Sequence, residues 1–306
     1  MTIFGSGNSA VREARLQLFE ISLPGDKRLA RMITETGVLE SRDRLIRECD
    51  LSEPEEIQSR IDSVGASFIT PEDQEWPTGL NDLVVAPVGL VIRGSLTCNS
   101  SIAIVGARNP SSYGIRTARS FASGVVDHGF TVISGGALGI DTAAHQGALD
   151  NGGRTIAVLA GGIDLDYPAS NSRLFNEIAG TGALLSEVMP GIAARPERFL
   201  TRNRLIAAIA SSTIVVEAAY RSGSLRTARD AAELLRPVMA VPGPITSPLS
   251  EGCHQLIADR AAEIITSLSD LLELVEPWRS ETPTVGSCSS PDSSPSSADR
   301  TLESPR

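Results

Sequence analysis

The stretch Val132–Leu149, VISGGALGIDTAAHQGAL, joins a short apolar run to a helix-length segment through three glycines. Short runs rich in β-branched residues are typical of buried strands, and glycine lets the backbone turn sharply where a strand meets a helix. The stretch therefore predicts a strand, a glycine turn and a helix, which is the repeating unit of parallel sheets.

The same unit recurs from about residue 101 onward. The apolar runs are separated by helix-length stretches such as YGIRTARSFASGVVDHG, residues 113–129. This alternation predicts an α/β, Rossmann-like, doubly wound and mostly parallel sheet, whose ligands bind beyond the carboxyl ends of the strands. The expected strands are SIAIVG, FTVISG, TIAVLAGG, ALLSEV, TIVVEA and PVMAVPG, and their carboxyl ends carry Gly106, Gly135, Gly161, Glu217 and Gly243.

Two segments flank this pattern. Residues 1–66 carry Ser, Asn or Asp near the helix starts and Gly near several helix ends, which predicts a small all-helical domain. Residues 67–275 form the Rossmann-like domain, beginning with a connecting arm that packs on it. Residues 276–306 are dominated by Ser and Pro and are predicted to be a disordered tail.

The composition narrows the class of protein. We expect no membrane span and a cytoplasmic location, because the sequence has no apolar run of about 18 residues and no signal peptide pattern. The four cysteines and three histidines are scattered without ligand spacing, so no metal site is predicted. The glycine turn reads GGxxG rather than GxGxxG, which argues against a dinucleotide, and no cofactor is expected.

Charge is distributed unevenly along the chain. The net charge is −10, yet residues 195–229 hold seven arginines against two glutamates, and residues 98–275 contain no lysine. Guanidinium groups bind phosphates in a bidentate manner, so the cluster is compatible with a phosphate-binding face. A set of solvated helix faces is the alternative.

Glycine-rich turns, helix starts and arginines occur together at three strand ends, where backbone N–H groups and guanidinium groups can hold an anion. The candidate phosphate-binding residues are Gly106, Arg108, Gly135, Gly136, Gly139, Arg202, Asn203, Ser222, Gly223 and Ser224.

Other readings of these segments stay open. Arg108 could instead cap or pair locally, and Ser111 is expected to be an N-cap. Asp141 either caps its helix or contacts the ligand. A catalytic pair with His145 one turn on is the weaker reading, because no GxSxG nucleophile is present. Glu217 could act as an acid or base, but a buried ion pair with a nearby arginine is the more economical expectation.

Taken in order, IAIVGARNPSSYG, VISGGALGIDTAAHQGAL, TIAVLAGGIDLDYP, LLSEVMPG, RNRLIAAIASSTIVVEA, SGSLRTARDA and VMAVPGP resemble the DNA-processing protein A family (DprA, also called Smf) over about residues 70–272. The resemblance implies an extended Rossmann domain preceded by a sterile-alpha-motif-like helical domain. It also implies a non-enzymatic homodimer that binds single-stranded DNA and helps load RecA recombinase onto it in natural transformation or recombination.

Carried over by motif, Gly106 and Arg108 match the basic phosphate-binding signature of the family, and the other candidate residues line the same pocket. Three positions depart from the usual pattern. Leu138 replaces an arginine, Ala169 stands where many members have a lysine, and Leu200 replaces a proline. The resemblance therefore implies weaker DNA binding, and the Ser/Pro tail stands in the place of a winged helix found in many members.

Two other functions remain as alternatives. Lysine-decarboxylase-like enzymes of the Lonely Guy type share the Rossmann fold and process nucleotides with a glutamate in a PGGxGTxxE turn. The corresponding stretch here, EAAYRSGSLRTARD, lacks that glutamate. A nucleotide-sensing module on the same fold is the third possibility, and it would bind a mononucleotide as well as an oligonucleotide.

Overall fold

The computed structural model describes residues 6–96 and 100–275. The strands are β1 (Ser67–Ile69), β2 (Leu90–Gly94), β3 (Ser101–Val105), β4 (Thr131–Ser134), β5 (Thr155–Leu159), β6 (Ala183–Ser186), β7 (Ser212–Val215), β8 (Val238–Ala240) and β9 (Glu263–Ile264). The α-helices are α1 (Ser6–Ile21), α2 (Lys27–Thr36), α3 (Val38–Ile46), α4 (Pro54–Asp62), α5 (Ser112–Asp127), α6 (Ile140–Asp150), α7 (Ser172–Thr181), α8 (Pro196–Ile209), α9 (Ser224–Glu233), α10 (Glu251–Ala258) and α11 (Leu268–Val275).

These strands form one sheet in the order β1-β2-β6-β5-β4-β3-β7-β8-β9. The pairs from β6 to β9 across the sheet are parallel, whereas β2 pairs antiparallel with both β1 and β6. The chain proceeds from β3 toward β6 on one side and then crosses to β7 on the other. The predicted fold class is confirmed, and the topological switch point lies between β3 and β7.

Both faces of the sheet are covered by helices, which explains why the strands are apolar throughout. Because side chains alternate along a strand, Ile102 and Ile104 of β3 face one side and Ala103 and Val105 face the other. The isoleucines join an apolar cluster with α5, α6 and α11, and Ala103 and Val105 join a second cluster with α8 and α9.

The helical segment α1–α4 packs on the side of the sheet that carries β6. Phe19 of α1 lies against Phe68 of β1, with ring centroids 5.1 Å apart. Phe19 and Ile57 belong to the same buried cluster as Phe175 and Leu184. The helical segment thus shares its core with the sheet, and the predicted domain boundary at residue 66 stays a prediction.

The arm expected at residues 67–100 is more regular than predicted, because β1 and β2 add two antiparallel strands beside β6. Leu90 and Val91 are fully buried, so this edge belongs to the core. The predicted tail at residues 276–306 lies outside the described residues. Among the residues that are described, no helix has the length and apolar character that a bilayer crossing needs.

Candidate nucleic-acid interface

A cavity of about 270 Å³ lies at the switch point, between the loops that follow β3 and β7 and over the side of α8. The fold places it where ligands of doubly wound sheets bind. The predicted residues that line it are Gly106, Arg108, Arg202, Asn203, Ser222, Gly223 and Ser224. Asp141, for which a ligand contact was one of the alternatives, also lines it, whereas Ala137, Phe199 and Leu200 were not assigned to this lining from the sequence.

Arg108 provides the exposed cation of the cavity. Its guanidinium carbon lies 4.9 Å from the centroid of the Phe199 ring, within the range of a cation–π interaction. Within residues 6–96 and 100–275, Arg108 makes no hydrogen bond or ion pair, so the ring orients the guanidinium while its N–H groups stay available. The alternative of a local cap or pair is not what the structure shows.

Arg202 provides a second cation of the cavity lining, and nearly all of its side chain is buried. It is only 5% exposed, and its Nη1 donates to Gly135 O at 2.7 Å and to Val158 O. Burial lowers the pKa of Arg202 to about 10, while the Asp141 carboxylate opposes that shift. Arg202 is therefore charged at neutral pH and adds positive potential, with part of its hydrogen-bonding capacity used by the backbone.

The start of α9 forms the opposite wall. Its N-cap is Gly223, which has no side-chain oxygen, and the hydroxyl of the preceding Ser222 accepts from Ser224 N at 3.4 Å. Asn203 Nδ2 donates to Gly223 O at 3.1 Å, and the hydroxyls of Ser222 and Ser224 lie 2.7 Å apart. A helix start with these properties favours an anion.

The glycines Gly135, Gly136 and Gly139 do not line the cavity but pack behind it. A Cβ at Gly135 would lie 2.5 Å from the Arg202 guanidinium, and one at Gly139 would lie 2.3 Å from Ala107 O. Gly139 also has φ +88°, a conformation that side chains disfavour. The glycine turn thus brings the cations and the β3 loop together, and its direct contact with a phosphate stays a prediction.

Asp141 organises this turn. Its Oδ2 accepts from the amides of Gly135 and Ala137 at 3.1 and 3.3 Å. Burial raises the pKa of Asp141, and the charge of Arg202 acts in the opposite direction. His145 has a different partner, Thr155 Oγ1 at 2.7 Å, so the structure gives no support to an Asp141–His145 catalytic pair.

The protonation state of His145 follows from its partner. The Thr155 hydroxyl donates to Val132 O at 2.9 Å, so it must accept from His145 Nδ1. The Nε2 atom is then unprotonated, and it is buried without a partner. Burial lowers the pKa of His145 to about 3, and the charge of Arg202 acts in the same direction.

We expect this histidine to make the protein acid-sensitive. Its folded pKa of about 3 lies below the ordinary value of 6.5, so below pH 6.5 the unfolded chain takes up a proton that the folded chain refuses. Between pH 6.5 and 5 the free energy of unfolding should fall by about 2 kcal/mol more in the wild type than in His145→Asn. Urea unfolding at both pH values measures this difference, and equal losses in the two proteins would contradict it.

The expectation for Glu217 was wrong. Instead of pairing with an arginine, its carboxylate accepts from the Ser111 backbone at 2.9 Å and from the Ser111 hydroxyl at 2.5 Å. Gly114 permits this approach, because a Cβ there would lie 2.3 Å from Glu217 Oε2. Ser111 also caps α5 through Gly114 N, which confirms its predicted N-cap role.

Two further contacts complete the surroundings of the cavity. Arg204 donates to Val85 O at 2.8 Å and pairs with Glu187, so it has a structural role beside Arg202. Asn171 donates to Gly136 O at 3.1 Å and holds the glycine turn from outside. Within the described ranges, no group of three or more His, Cys, Asp or Glu side chains could hold a metal ion.

Comparison with known proteins identifies the family of the chain. The family model for DNA recombination-mediator protein A matches residues 67–276. A DNA processing protein DprA from Mycobacterium tuberculosis (strain CDC 1551 / Oshkosh) is similar over 287 residues at 39% identity, covering 84% of this chain and 73% of that protein.

Two solved structures are also similar. The X-ray structure of DprA from Streptococcus pneumoniae superimposes with a TM-score of 0.70 at 31% identity, covering 89% of this chain and 98% of that one. The DprA structure from Helicobacter pylori, described for its single-stranded DNA binding mode, gives a TM-score of 0.63 at 29% identity. The match covers 69% of this chain and 96% of that one. The chain therefore belongs to the DNA recombination-mediator protein A family.

Proposed function

We propose that the protein binds single-stranded DNA through its phosphates in the switch-point cavity. The observation that carries this proposal is the Arg108 guanidinium, which is held on the Phe199 ring with its N–H groups unused. The buried Arg202 of the lining and the amino-terminal end of α9 add positive potential to the same cavity. A similar protein, H. pylori DprA, is described as binding single-stranded DNA.

The residues of the lining favour contacts with the sugar-phosphate backbone of DNA over sequence-specific contacts with its bases. Phosphate contacts supply affinity without sequence information, and arginines, hydroxyls and amides are their usual donors. Leu138 is 47% exposed and Ala169 is exposed, so the replaced basic positions lie at the surface. Their loss leaves Arg108 as the main exposed cation of the cavity.

Replacing Arg108 by alanine should weaken DNA binding about tenfold, the effect of one charge-assisted hydrogen bond. Fluorescence anisotropy with a labelled oligonucleotide of mixed sequence, read at several salt concentrations, measures both the affinity and its salt dependence. The slope of log K against log salt should become shallower by about 0.7, because one phosphate contact is lost.

Arg173→Ala is the matched control, since its side chain is 92% exposed on α7 and pairs only with Glu177 in the described structure. It should bind as the wild type does. Equal affinities for Arg108→Ala and wild type, or no wild-type binding at low salt, would refute the proposed site.

We further propose that the protein acts as a homodimer that helps load RecA onto single-stranded DNA. The family description as a recombination mediator supports this role. RecA ATPase activity on DNA covered by single-strand-binding protein should rise when the protein is added, and light scattering should give twice the chain mass.

A non-enzymatic role fits the carboxylates at the site. Asp141 is the carboxylate of the cavity lining, and its Oδ2 is already held by two backbone amides. Incubation with AMP followed by an assay for free adenine tests the nucleotide-processing alternative. Competition by AMP against a labelled oligonucleotide tests the sensing alternative, which requires comparable affinities for both.

A further inference from the structure

We propose that the DNA strand leaves the cavity along a groove between α9 and α10, where Tyr220, Arg221, Arg226 and Arg229 form a second subsite for its backbone and one base. We call this space the α9 groove. The inference rests on the proposed function, because it assigns the path of the strand that the cavity holds.

The α9 groove adjoins the cavity. It has a volume of about 540 Å³ and shares Leu200, Ser222 and Gly223 with the cavity lining. These shared residues place the two spaces side by side at the start of α9. A strand whose phosphate lies at that helix start therefore has the groove directly beside it.

Two of the three arginines in the groove have no ion-pair partner among the described residues. Arg221 and Arg229 are exposed, and within residues 6–96 and 100–275 neither makes an ion pair or hydrogen bond. Arg226 pairs with Asp230 through Nε at 2.6 Å, which leaves its terminal nitrogens outside that bond. Because Arg226 and Arg229 are three residues apart on α9, they lie on one face about 5–6 Å apart at Cβ.

Opposing charge in the groove is small. Asp259 lines it, and its Oδ1 accepts from Gln255 Nε2 at 2.7 Å. Three arginines against Asp259 and the Asp230 carboxylate that pairs with Arg226 leave an excess of positive charge, which favours a polyanion. A linear polyanion that already enters the adjoining cavity meets this charge without a separate binding event.

Tyr220 distinguishes this groove from a purely electrostatic surface. The residue precedes Arg221 at the rim and is 60% exposed. Aromatic side chains next to cationic grooves stack on unpaired bases of any sequence. A base stacked on Tyr220 with its phosphates on Arg221 and Arg229 is an arrangement that a single strand can adopt and a duplex cannot.

The test compares oligonucleotide lengths by anisotropy competition on the full chain. The trinucleotide serves as the short probe for the cavity, whereas a dodecanucleotide is long enough to extend into the α9 groove as well. Arg221→Gln/Arg229→Gln should bind the dodecanucleotide at least about tenfold more weakly, with a salt slope shallower by about 1.4. Its affinity for the trinucleotide should be unchanged.

Tyr220→Ala should lose about fivefold or more on the dodecanucleotide with the salt slope intact, because stacking releases no counterions. Arg31→Gln/Arg47→Gln removes the same charge from exposed positions of the helical segment and should behave as wild type. Because the substituted side chains are exposed, thermal unfolding should be unchanged in all variants.

The outcomes separate the two proposals. Wild-type binding of both oligonucleotides by the Arg221/Arg229 variant overturns the α9 groove and leaves the cavity standing. Equal losses on the trinucleotide and dodecanucleotide also overturn the groove as a separate subsite. Absence of any wild-type binding overturns the proposed function, and the groove with it.

Discussion

Replacing Arg202 by methionine is expected to lower the free energy of unfolding by about 3–5 kcal/mol. This is the usual effect of removing one of two opposite buried charges and leaving the other uncompensated. Methionine fills similar space but cannot donate to Gly135 O or Val158 O. It also leaves the buried Asp141 without the cation that lowers its pKa. Urea unfolding at neutral pH measures the loss.

A double-mutant cycle tests this explanation. Asp141→Asn/Arg202→Met should be less destabilised than the sum of the single variants, because asparagine removes the unpaired charge. Arg198→Met is the control on the same helix, since the described contact of that arginine is a 2.6 Å hydrogen bond to the exposed Ala193 carbonyl. If the losses in the free energy of unfolding were strictly additive, or equal for Arg198→Met and Arg202→Met, the proposed coupling between Asp141 and Arg202 would be contradicted.

Gly139→Ala is expected to cost about 2–5 kcal/mol. A side chain is disfavoured at φ +88°, and the added Cβ would lie 2.3 Å from Ala107 O and 2.7 Å from the carbonyl carbon of Arg108. Since neither backbone atom can rotate away, the loop after β3 has to move. The change should be visible in urea unfolding and as weaker binding of the labelled oligonucleotide, because Arg108 moves with its backbone.

Gly152→Ala is the control that measures the cost of an unfavourable backbone conformation without a steric clash. Gly152 has φ +66°, and a Cβ added there would meet nothing within 4 Å, so only the conformational cost of about 1–2 kcal/mol applies. It should leave DNA binding unchanged. Equal stability losses at the two glycines, or intact binding in Gly139→Ala, would show that the β3 loop does not depend on this contact.

The sheet was largely predictable, because its six central strands lie in short apolar runs that stand out between helix-length segments. β1, β2 and β9 were missed as strands for physical reasons. β1 has three residues and β9 has two, and each is stabilised mainly by its neighbour in the sheet rather than by its own sequence. The shared core of the helical segment and the sheet also depends on packing between residues far apart in the sequence, such as Phe19 and Phe175, which belong to one buried cluster.

The part of the candidate site that lies at strand ends and in glycine- and serine-rich loops could be predicted from the sequence. Spacing placed Arg108, Asn203 and the Ser222–Ser224 turn at one edge of the sheet, and the structure brings them to one cavity. Spacing could not show that the glycine turn faces Arg202, because that contact joins residues 67 positions apart. The stacking of Arg108 on Phe199 was missed for the same reason.

The bond between Glu217 and Ser111 has a consequence for binding. It links the segment after β7 to the start of α5, which follows β3, and so ties together the two sides of the crevice. Ala107 N strengthens the tie by donating to Glu217 O at 2.7 Å. The mouth of the cavity is thus preorganised, and an incoming strand loses its own conformational entropy without also having to order the protein.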